Sequence, residues 1–243
     1  MKIMVVGGGG REHAIIKKIK ENKNVTEIFA LPGNGGIAKD AVCVNIGAKD
    51  IEGITKFAAD NAIDFAVVAP DDPLVLGAVD SLSAIGVPCF GPAANAAIIE
   101  GSKVFSKNLM KKYNIPTARY EVFSAAADAL GYIENCTYPI VIKADGLALG
   151  KGVIIAENKA AALDAVHSVM EDKIFGASGN SVVIEEFLTG PEVSVLCFTD
   201  GKTIKPMVSS MDHKRIGDGD VGPNTGGMGA YSPVPIITDE DVE

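Results

Sequence analysis

Short apolar runs alternate with helical patterns through the first hundred residues, and this alternation constrains the fold more than any other feature. The segments Lys2–Val6 and Phe65–Ala69 are short, strongly apolar runs. Between them, Ile51, Ile54 and Phe57 recur at helical spacing. Strands that are apolar on both faces and are separated by crossover helices are typical of a parallel sheet covered on both sides. The sequence therefore predicts that the chain begins with a parallel α/β domain.

The pattern changes after Gly101, where short strands and helices no longer alternate regularly. Asp200-Gly201 lies between two apolar runs and is a strong hairpin signal. We therefore predict an α/β domain over residues 1–101 and an antiparallel α+β domain over residues 102–243. The segment from Ser209 to Pro235 is rich in glycine, proline and aspartate, so we predict a long functional or disordered loop there.

Composition narrows the class of protein. The formal net charge is −9, which disfavours nucleic acid as a partner because such binding needs a basic face. The four cysteines form no CxxC pair, which predicts reduced, buried thiols in the cytoplasm. No apolar run approaches the ~20 residues that a membrane span requires. We therefore expect a soluble cytoplasmic protein with small-molecule partners and no membrane partner.

A glycine cluster, Gly7 to Gly10, follows the first strand and opens the first helix. Such a turn presents backbone N–H groups and a positive helix end to an anion. The dinucleotide fingerprint fails, because Glu12 or His13 stands where its third glycine belongs. A single phosphate therefore fits better than NAD. The alternative is that these glycines only let the helix and strand pack closely.

The segment Lys143–Gly152 places one lysine at a strand end and a second, Lys151, inside a glycine-hinged loop. It is not a Walker A loop, because the glycine spacing differs and Gly152 stands where serine or threonine is required. Fixed positive charge and a closing lid of backbone N–H groups suit a polyphosphate. A plain hairpin with solvated lysines is the alternative.

Glu185 and Glu186 end an apolar strand, and Glu192 follows soon after. Consecutive carboxylates at a strand end are usually solvated, and the pattern alone favours that interpretation. The functional alternative is a hinge whose backbone pairs with an adenine edge while Glu192 accepts from a ribose hydroxyl.

Two polar clusters, Asp212–Arg215 and Asn224–Gly229, fill the segment that we predict to be a loop. Hydrogen-bonding side chains and glycines at this density suit the binding of a small polar substrate. A surface loop without function is the alternative. The histidines lack metal-ligand spacing, so these residues predict no metal site.

At these motifs the chain resembles the glycinamide ribonucleotide synthetases, ATP-grasp ligases of purine biosynthesis. The segments that carry the resemblance are Gly7–Ala14, Pro32–Asn34, Gly101–Lys103, Lys143–Val153, Glu185–Leu188 and Asp212–Pro233. The resemblance implies a Rossmann-like pre-ATP-grasp domain followed by a partial ATP-grasp domain with a lid subdomain at about residues 120–190. It also implies ATP, glycine and phosphoribosylamine as substrates, glycyl phosphate as the intermediate, and a monomer.

The resemblance also assigns residues. Those implied to contact ATP are Lys103, Lys143, Gly146, Gly150, Lys151, Gly152, Glu185, Glu186, Leu188 and Glu192. Those implied to surround phosphoribosylamine and glycine are Gly8, Gly9, Gly10, Gly33, Asn34, Asp212, Lys214, Asn224, Thr225, Gly226 and Gly227. Lys143, Asp212 and Lys214 are the implied catalytic residues.

The chain departs from the family pattern at Asp71, Pro191 and Met211, and it is also shorter than the family. The family's Glu and Asn ligands for magnesium or manganese lie in the part that the chain lacks. We therefore expect no ligase turnover from this chain alone, and exposed apolar surface near residues 180–210. Two alternatives stay open, namely an ATP-grasp ligase with another substrate and a non-catalytic nucleotide-binding fragment.

Overall fold

The computed structural model describes residues 1–148, 152–219 and 221–242. The chain divides into two compact units, Met1–Ile115 and the residues from Pro116 onward. In the described ranges, no helix combines the length and the apolar character needed to cross a membrane.

The first unit contains a parallel five-stranded sheet with the strand order β3-β2-β1-β4-β5. Its strands are β1 (Lys2–Gly7), β2 (Glu27–Pro32), β3 (Val42–Cys43), β4 (Phe65–Val68) and β5 (Cys89–Phe90). Its helices are α1 (Gly10–Lys20), α2 (Ile51–Asp60), α3 (Asp71–Val75), α4 (Ala78–Ala84), α5 (Ala94–Gly101) and α6 (Lys103–Lys112). The predicted parallel α/β domain is confirmed.

Burial on both faces of the sheet explains the continuous apolar character of β1. Met4 and Val6 point into a core shared with α2 and α4, whereas Ile3 and Val5 point into a second core with Ile16 of α1. Every residue from Ile3 to Val6 is therefore buried, and an alternating polar face is not possible.

Two details of the first unit differ from the sequence pattern. Pro73 suits the first turn of a helix, and Leu76, Val79 and Leu82 predict its buried stripe. The structure has two short helices instead of one, because Gly77 takes a left-handed conformation with φ of +84° between them. Leu76 consequently lies 54% exposed rather than in the predicted buried stripe. Helix α5, which the sequence pattern does not predict, has no N-cap side chain of its own, and its Ala94 N–H donates to Asp80 Oδ2 at 2.8 Å. Ser102 predicts a cap for the next helix, and the hydrogen bond from the Phe105 N–H to Ser102 Oγ confirms it for α6.

The second unit contains an antiparallel four-stranded sheet with the order β6-β9-β7-β8. Its strands are β6 (Tyr120–Phe123), β7 (Ile140–Ala144), β8 (Val153–Ala156) and β9 (Val182–Glu186). Helices α7 (Ala126–Ile133) and α8 (Lys159–Val166) share one core with this sheet, and a short helix α9 (Asp239–Val242) follows near the end of the chain. The predicted antiparallel α+β character is confirmed.

The prediction of a loop over residues 209–235 is wrong for most of that segment. Two antiparallel strands, β12 (Met211–Gly217) and β13 (Val221–Tyr231), form a ribbon there, with register shifts around Arg215. Glycine and polar residues are depleted in strands, so the segment carries no strand pattern. Backbone pairing between the two strands nevertheless forms the ribbon.

A short hairpin joins β10 (Cys197–Thr199) to β11 (Ile204–Pro206) through the predicted Asp200-Gly201 turn. Leu196, Phe198 and Ile204 lie 52–68% exposed around it. The expected exposed apolar surface is thus confirmed here, but it is wrong for the residues of β9, which are buried from Val182 to Glu185.

The prediction of buried thiols is also wrong. Cys43 and Cys197 are exposed, and Cys89 and Cys136 are partly buried. All four cysteines are free thiols. Partial burial raises the pKa of both the Cys89 and the Cys136 thiol, which disfavours their reactive thiolate form.

Candidate functional site

Two loops meet at the carboxyl ends of β1 and β2 in the first unit. The strand order reverses at β1, which β2 and β4 flank, and ligands of open parallel sheets bind outside such a reversal point. The loop of Gly7–Gly10 follows β1, and the loop of Gly33–Gly36 follows β2. The structure therefore brings together Gly8, Gly9, Gly10, Gly33 and Asn34, the residues implied to face phosphoribosylamine.

The buried side chain of Glu12 is hydrogen-bonded to the first of these loops. Its side chain is 4% exposed, and its Oε2 accepts a hydrogen bond from the Gly9 N–H at 2.6 Å. Its Oε1 accepts from the Arg11 Nε–H at 2.9 Å. Because a carboxylate already occupies the Gly9 N–H, this donor does not serve a pyrophosphate as it would in a dinucleotide site. Glu12 therefore takes a loop donor that a dinucleotide would need, which explains why the dinucleotide fingerprint is not met at this position.

Asn34 fastens the two loops to each other. Its Nδ2 donates to the Gly8 carbonyl at 2.7 Å, and its Oδ1 accepts from the N–H groups of Gly36 and Ile37 at 2.8 and 2.9 Å. A Cβ on Gly8 would lie only 2.6 Å from the Gly33 carbonyl oxygen, so the loops approach closely at that point. Asn34 therefore helps to hold the two loops at this short separation.

Gly10 and Gly35 differ from the other glycines of these loops. A Cβ added to either one would meet no heavy atom within 4 Å. Packing therefore gives no reason for glycine at these two positions. An open position at the start of α1 leaves room for a ligand to approach the helix N-terminus.

His13 is a residue of this region that the sequence analysis did not assign. Its Nε2 lies 2.9 Å from Asp40 Oδ2, and Lys20 Nζ lies 3.1 Å from Asp40 Oδ1. The hydrogen bond from His13, followed by the one from Lys20, holds the pKa of Asp40 below its ordinary value. Asp40 stands 27 residues from His13, so no local signal in the sequence could have revealed the contact.

In the second unit, Lys143 and Glu185 lie on the sheet face opposite the helices. The register pairs Lys143 with Val183 and Val141 with Glu185, so these four side chains share one face. Ile140, Ile142 and Ile184 alternate with them and pack in the core with α7 and α8. A ligand that uses Lys143 must therefore approach from the side of the sheet opposite α7 and α8.

Lys143 forms an ion pair with Glu185. The distance from Lys143 Nζ to Glu185 Oε1 is 2.7 Å, and the exposed fractions of the two side chains are 29% and 4%. The predicted solvation of the strand-end carboxylates is therefore wrong for Glu185. A buried carboxylate fixes the ammonium group at the rim of the face, because separating the pair would leave a charge buried without its partner.

The base of the proposed lid loop follows Lys143. The Ala144 N–H donates to the Gly152 carbonyl at 2.8 Å, which closes the loop at its base. Gly146 takes a φ of +89° near the start of the loop. The two other implied ATP ligands in this loop, Gly150 and Lys151, lie outside the described residues.

The implied adenine hinge follows the end of β9. Leu188 is 65% exposed beyond the strand. The Glu186 carboxylate is bound to Arg119, whose Nε lies 2.7 Å from Glu186 Oε2. This contact directs the Glu186 side chain toward β6, whereas the resemblance assigns the Glu186 backbone to adenine.

The ribbon of β12 and β13 brings together the residues implied to surround glycine. Lys214 Nζ forms an ion pair with Glu192 and lies 3.9 Å from Asp212 Oδ1. Thr225 Oγ1 donates to the Lys214 carbonyl at 2.8 Å and accepts from the Gly227 N–H at 3.0 Å. The structure therefore joins Glu192, implied to contact ribose, with the implied glycine site through one lysine.

The remaining implied residues have these positions. Asn224 pairs with Arg215 across the ribbon, and Gly226 lies next to Thr225 in β13. Lys103 is the first residue of α6 and belongs to the first compact unit. Among the residues that the structure describes, no three His, Cys, Asp or Glu side chains cluster as a metal site would require.

Comparison with known proteins gives matches along the whole chain. Residues 1–100 match the family model described as phosphoribosylglycinamide synthetase, N domain, and residues 101–243 match the one described as its ATP-grasp (A) domain. A phosphoribosylamine–glycine ligase from Clostridium acetobutylicum is 52% identical over 240 residues, which make up 99% of this chain and 58% of that protein.

Two solved structures are also similar to this chain. The crystal structure of phosphoribosylamine–glycine ligase from Thermotoga maritima has a TM-score of 0.82 at 33% identity, covering 98% of this chain and 56% of that one. The biotin carboxylase domain of a Hydrogenobacter thermophilus 2-oxoglutarate carboxylase, solved with MgADP, ADP and bicarbonate, has a TM-score of 0.72 at 14% identity. It covers 88% of this chain and 50% of that one, and it shows a shared fold alone. The chain spans between 50% and 58% of the length of these proteins.

Proposed function

Because the chain belongs to the phosphoribosylglycinamide synthetase family, we propose that it carries binding elements for an ATP-dependent ligation of glycine to 5-phosphoribosylamine. The products are glycinamide ribonucleotide, ADP and phosphate. The 52% identical relative from Clostridium acetobutylicum supports this reaction class, since it is a phosphoribosylamine–glycine ligase.

The observation that carries the proposal is the fixed ammonium group of Lys143 on the face of the four-stranded sheet opposite α7 and α8. A carboxylate and a triphosphate repel each other, so positive charge must be held along the path of phosphoryl transfer. Glu185 holds Lys143 in place, and the loop that starts at Gly146 follows it directly. We assign Lys143 to the phosphates of ATP, with Lys103, Gly146, Gly150, Lys151 and Gly152 as further phosphate and lid residues.

The proposed reaction has two steps. An oxygen of the glycine carboxylate attacks the γ-phosphorus, the bond from that phosphorus to the β,γ-bridging oxygen breaks, and ADP leaves. The amine of phosphoribosylamine then attacks the carbonyl carbon of glycyl phosphate, the carbon–oxygen bond to phosphate breaks, and the nitrogen loses a proton. Closure of the lid loop keeps water from the acyl phosphate between the two steps.

The ribbon residues suit the amino acid. In the proposed site, Lys214 offers a cation to the glycine carboxylate and Asp212 offers a carboxylate to its ammonium group. The same ribbon contains four further residues assigned to this site, which lie next to one another in β13, namely Asn224, Thr225, Gly226 and Gly227. Glu192 contacts the ribose of ATP in this proposal. The hinge of residues 186–188 receives adenine through the backbone of Glu186 and Leu188, and Glu185 precedes the hinge in β9.

The two glycine loops of the first unit suit the phosphoribosyl group. The open positions at Gly10 and Gly35 lie at the carboxyl edge of the parallel sheet, where a phosphate monoester would meet the N-terminus of α1. Gly8, Gly9, Gly33 and Asn34 shape this edge through the contacts described above.

ATP-grasp enzymes use a divalent cation, which would neutralise negative charge on the phosphates of ATP. The described residues contain no cluster of three metal-ligating side chains, so we assign no metal ligand and no metal-dependent step to this chain. We propose that the 243-residue chain folds and binds nucleotide weakly but does not turn over.

Two measurements on the chain test the proposal. Lys143→Ala should weaken ATP binding about tenfold or more, the scale of a lost charge-assisted hydrogen bond. Lys159→Ala is the matched control, because it removes an exposed ion pair with Glu134 in the same unit. Equal ATP affinity in the Lys143 variant and the wild type would refute the phosphate assignment.

The second measurement is glycine- and phosphoribosylamine-dependent release of ADP. We expect none from the chain, and turnover from the Clostridium acetobutylicum relative in the same assay as a positive control. ADP release by the pure chain would overturn the predicted inactivity, whereas it would support the proposed reaction.

A further inference from the structure

Arg119 and Glu186 are joined by three hydrogen bonds at the end of β9. The Glu186 N–H donates to the Arg119 carbonyl at 3.0 Å. In return, the Arg119 N–H donates to Glu186 Oε1 at 2.9 Å, and its Nε–H donates to Glu186 Oε2 at 2.7 Å. Both the backbone and the side chain of each residue therefore take part in one closed arrangement.

This arrangement lies at the last contact between β6 and β9. The ladder of these strands pairs Tyr120 with Glu185, and the bond from Glu186 to Arg119 is the next one along it. On its other side, Glu186 pairs with Ile140 of β7. The hinge leaves the sheet directly after this point, so its first residue is fixed on both sides.

The end of a sheet frays unless something other than the ladder holds it. The Arg119 guanidinium is fixed by the charged Glu186 carboxylate, which also accepts the Arg119 backbone N–H. The guanidinium Nε–H donates to one carboxylate oxygen and the backbone N–H donates to the other. Both bonds end on a charged acceptor, and such bonds are stronger than bonds between neutral groups. The side-chain pair thus holds the backbone of Glu186 at a constant position.

We propose that Arg119 is a positioning residue for adenine recognition, acting through Glu186 on the backbone of residues 186–188. The inference rests on the proposed function, in which this hinge receives the adenine edge. An adenine edge is read by one donor and one acceptor at fixed spacing, so the affinity for the base depends on the rigidity of the hinge. The affinity for the phosphates depends on Lys143 instead.

Because the affinities for the base and for the phosphates depend on different residues, two ligands can test the role of Arg119. ATP and inorganic tripolyphosphate share the phosphate contacts, but only ATP carries the base. Arg119→Ala should weaken ATP binding by the 243-residue chain about three- to fivefold, the upper range for a largely exposed ion pair, and should leave tripolyphosphate binding unchanged. Lys143→Ala should weaken both ligands.

Two further variants separate positioning from a general structural role. Arg119 is 88% exposed, so its removal opens no cavity, and the thermal unfolding midpoint should stay within about 2 °C. Arg119→Lys keeps the charge opposite Glu186 and should restore part of the ATP affinity. Lys159→Ala should change neither ligand's affinity.

Each outcome decides between the proposals. Unchanged ATP affinity in Arg119→Ala, or an equal loss of ATP and tripolyphosphate affinity, would overturn the role of Arg119 and leave the proposed phosphate site intact. Wild-type binding of tripolyphosphate that is as tight as that of ATP would refute the adenine hinge and the Arg119 role with it. Binding of neither ligand by the wild type would refute the nucleotide site itself.

Discussion

Two glycine-rich segments of this chain look alike in composition and differ in physical role. In the first unit, a Cβ on Gly8 would lie 2.6 Å from the Gly33 carbonyl oxygen, and a Cβ on Gly9 would lie 2.8 Å from Glu12 Oε2. In the β12–β13 ribbon, a Cβ on Gly226 or Gly229 would meet no heavy atom within 4 Å. Packing against backbone requires glycine at Gly8, and Gly9 meets only the end of the Glu12 side chain, whereas packing does not require glycine at Gly226 or Gly229.

The difference shows how a functional glycine is distinguished from a structural one. Where a Cβ would collide with the protein, glycine is explained by the fold alone. Where it would enter open space at an ordinary φ, as at Gly10 and Gly226, glycine leaves room for something outside the chain. Gly227 is a third case, because its φ of +112° requires glycine whatever the surrounding space.

The largest expected effect is the loss of the packed contact in the first unit. Gly8→Val should lower the free energy of unfolding by roughly 3 kcal/mol, because the new side chain meets backbone that cannot move aside. Urea denaturation followed by circular dichroism measures this change.

Gly10→Ala is the matched control for that experiment. Its Cβ meets nothing, and alanine favours the first turn of α1, so stability should stay equal or rise slightly. It is a sharper probe of phosphoribosyl binding than Gly9→Val, which would disturb the contact with Glu12. If Gly8→Val were as stable as the wild type, the distinction between glycines that packing requires and glycines that face open space would be refuted.

A second expected effect concerns the carboxylate that closes the same loop. Glu12→Ala should lower the free energy of unfolding by about 1–3 kcal/mol, because the Gly9 N–H loses its acceptor and a buried side chain is removed. Glu21→Ala, which breaks an exposed ion pair at the other end of α1, should change stability by less than about 0.5 kcal/mol. Equal effects of the two substitutions would show that Glu12 does not organise the loop.

The third prediction tests the open glycines of the ribbon. Gly226→Ala should leave the free energy of unfolding within about 0.5 kcal/mol of the wild type. In the presence of ATP, it should weaken glycine binding by the chain about fivefold, since the new methyl group occupies the proposed substrate position. Calorimetric titration with glycine measures this effect. Gly229→Ala is the control, and an equal loss in both variants would place glycine elsewhere.

The smallest expected effect depends on pH. The pKa of Asp40 is lowered in the folded state, chiefly by His13, so its contribution to stability is present above the ordinary aspartate pKa of about 3.9. That contribution is lost as the pH falls through the lowered folded-state value. The urea midpoint of the wild type should therefore exceed that of Asp40→Asn above about pH 5, and the difference should shrink below about pH 4. Parallel midpoints down to pH 3 would contradict this prediction.

The fold of the first unit was predictable because its signals are local. Apolar runs buried on both faces, helices at regular spacing and the cap at Ser102 follow from periodicity and from short-range hydrogen bonding. The turn at Asp200-Gly201 is predictable for the same reason. The ribbon was missed because its glycines and polar residues carry no strand preference, and its pairing is a property of two segments together.

The parallel and antiparallel units, the motifs that resemble an ATP-grasp ligase and the failure of the dinucleotide fingerprint can all be predicted from the amino-acid sequence. The tertiary fold sets which distant residue each strand-end carboxylate binds. The buried Glu185 fixes Lys143, and the partly exposed Glu186 holds Arg119. The contact of Glu12 with the Gly9 N–H is local by comparison, because it spans three residues. The strength of each pair depends on burial and on the partner's position, and the partners of Glu185 and Glu186 lie 42 and 67 residues away in the chain. No local pattern records such distances, because they are set by strand order and register.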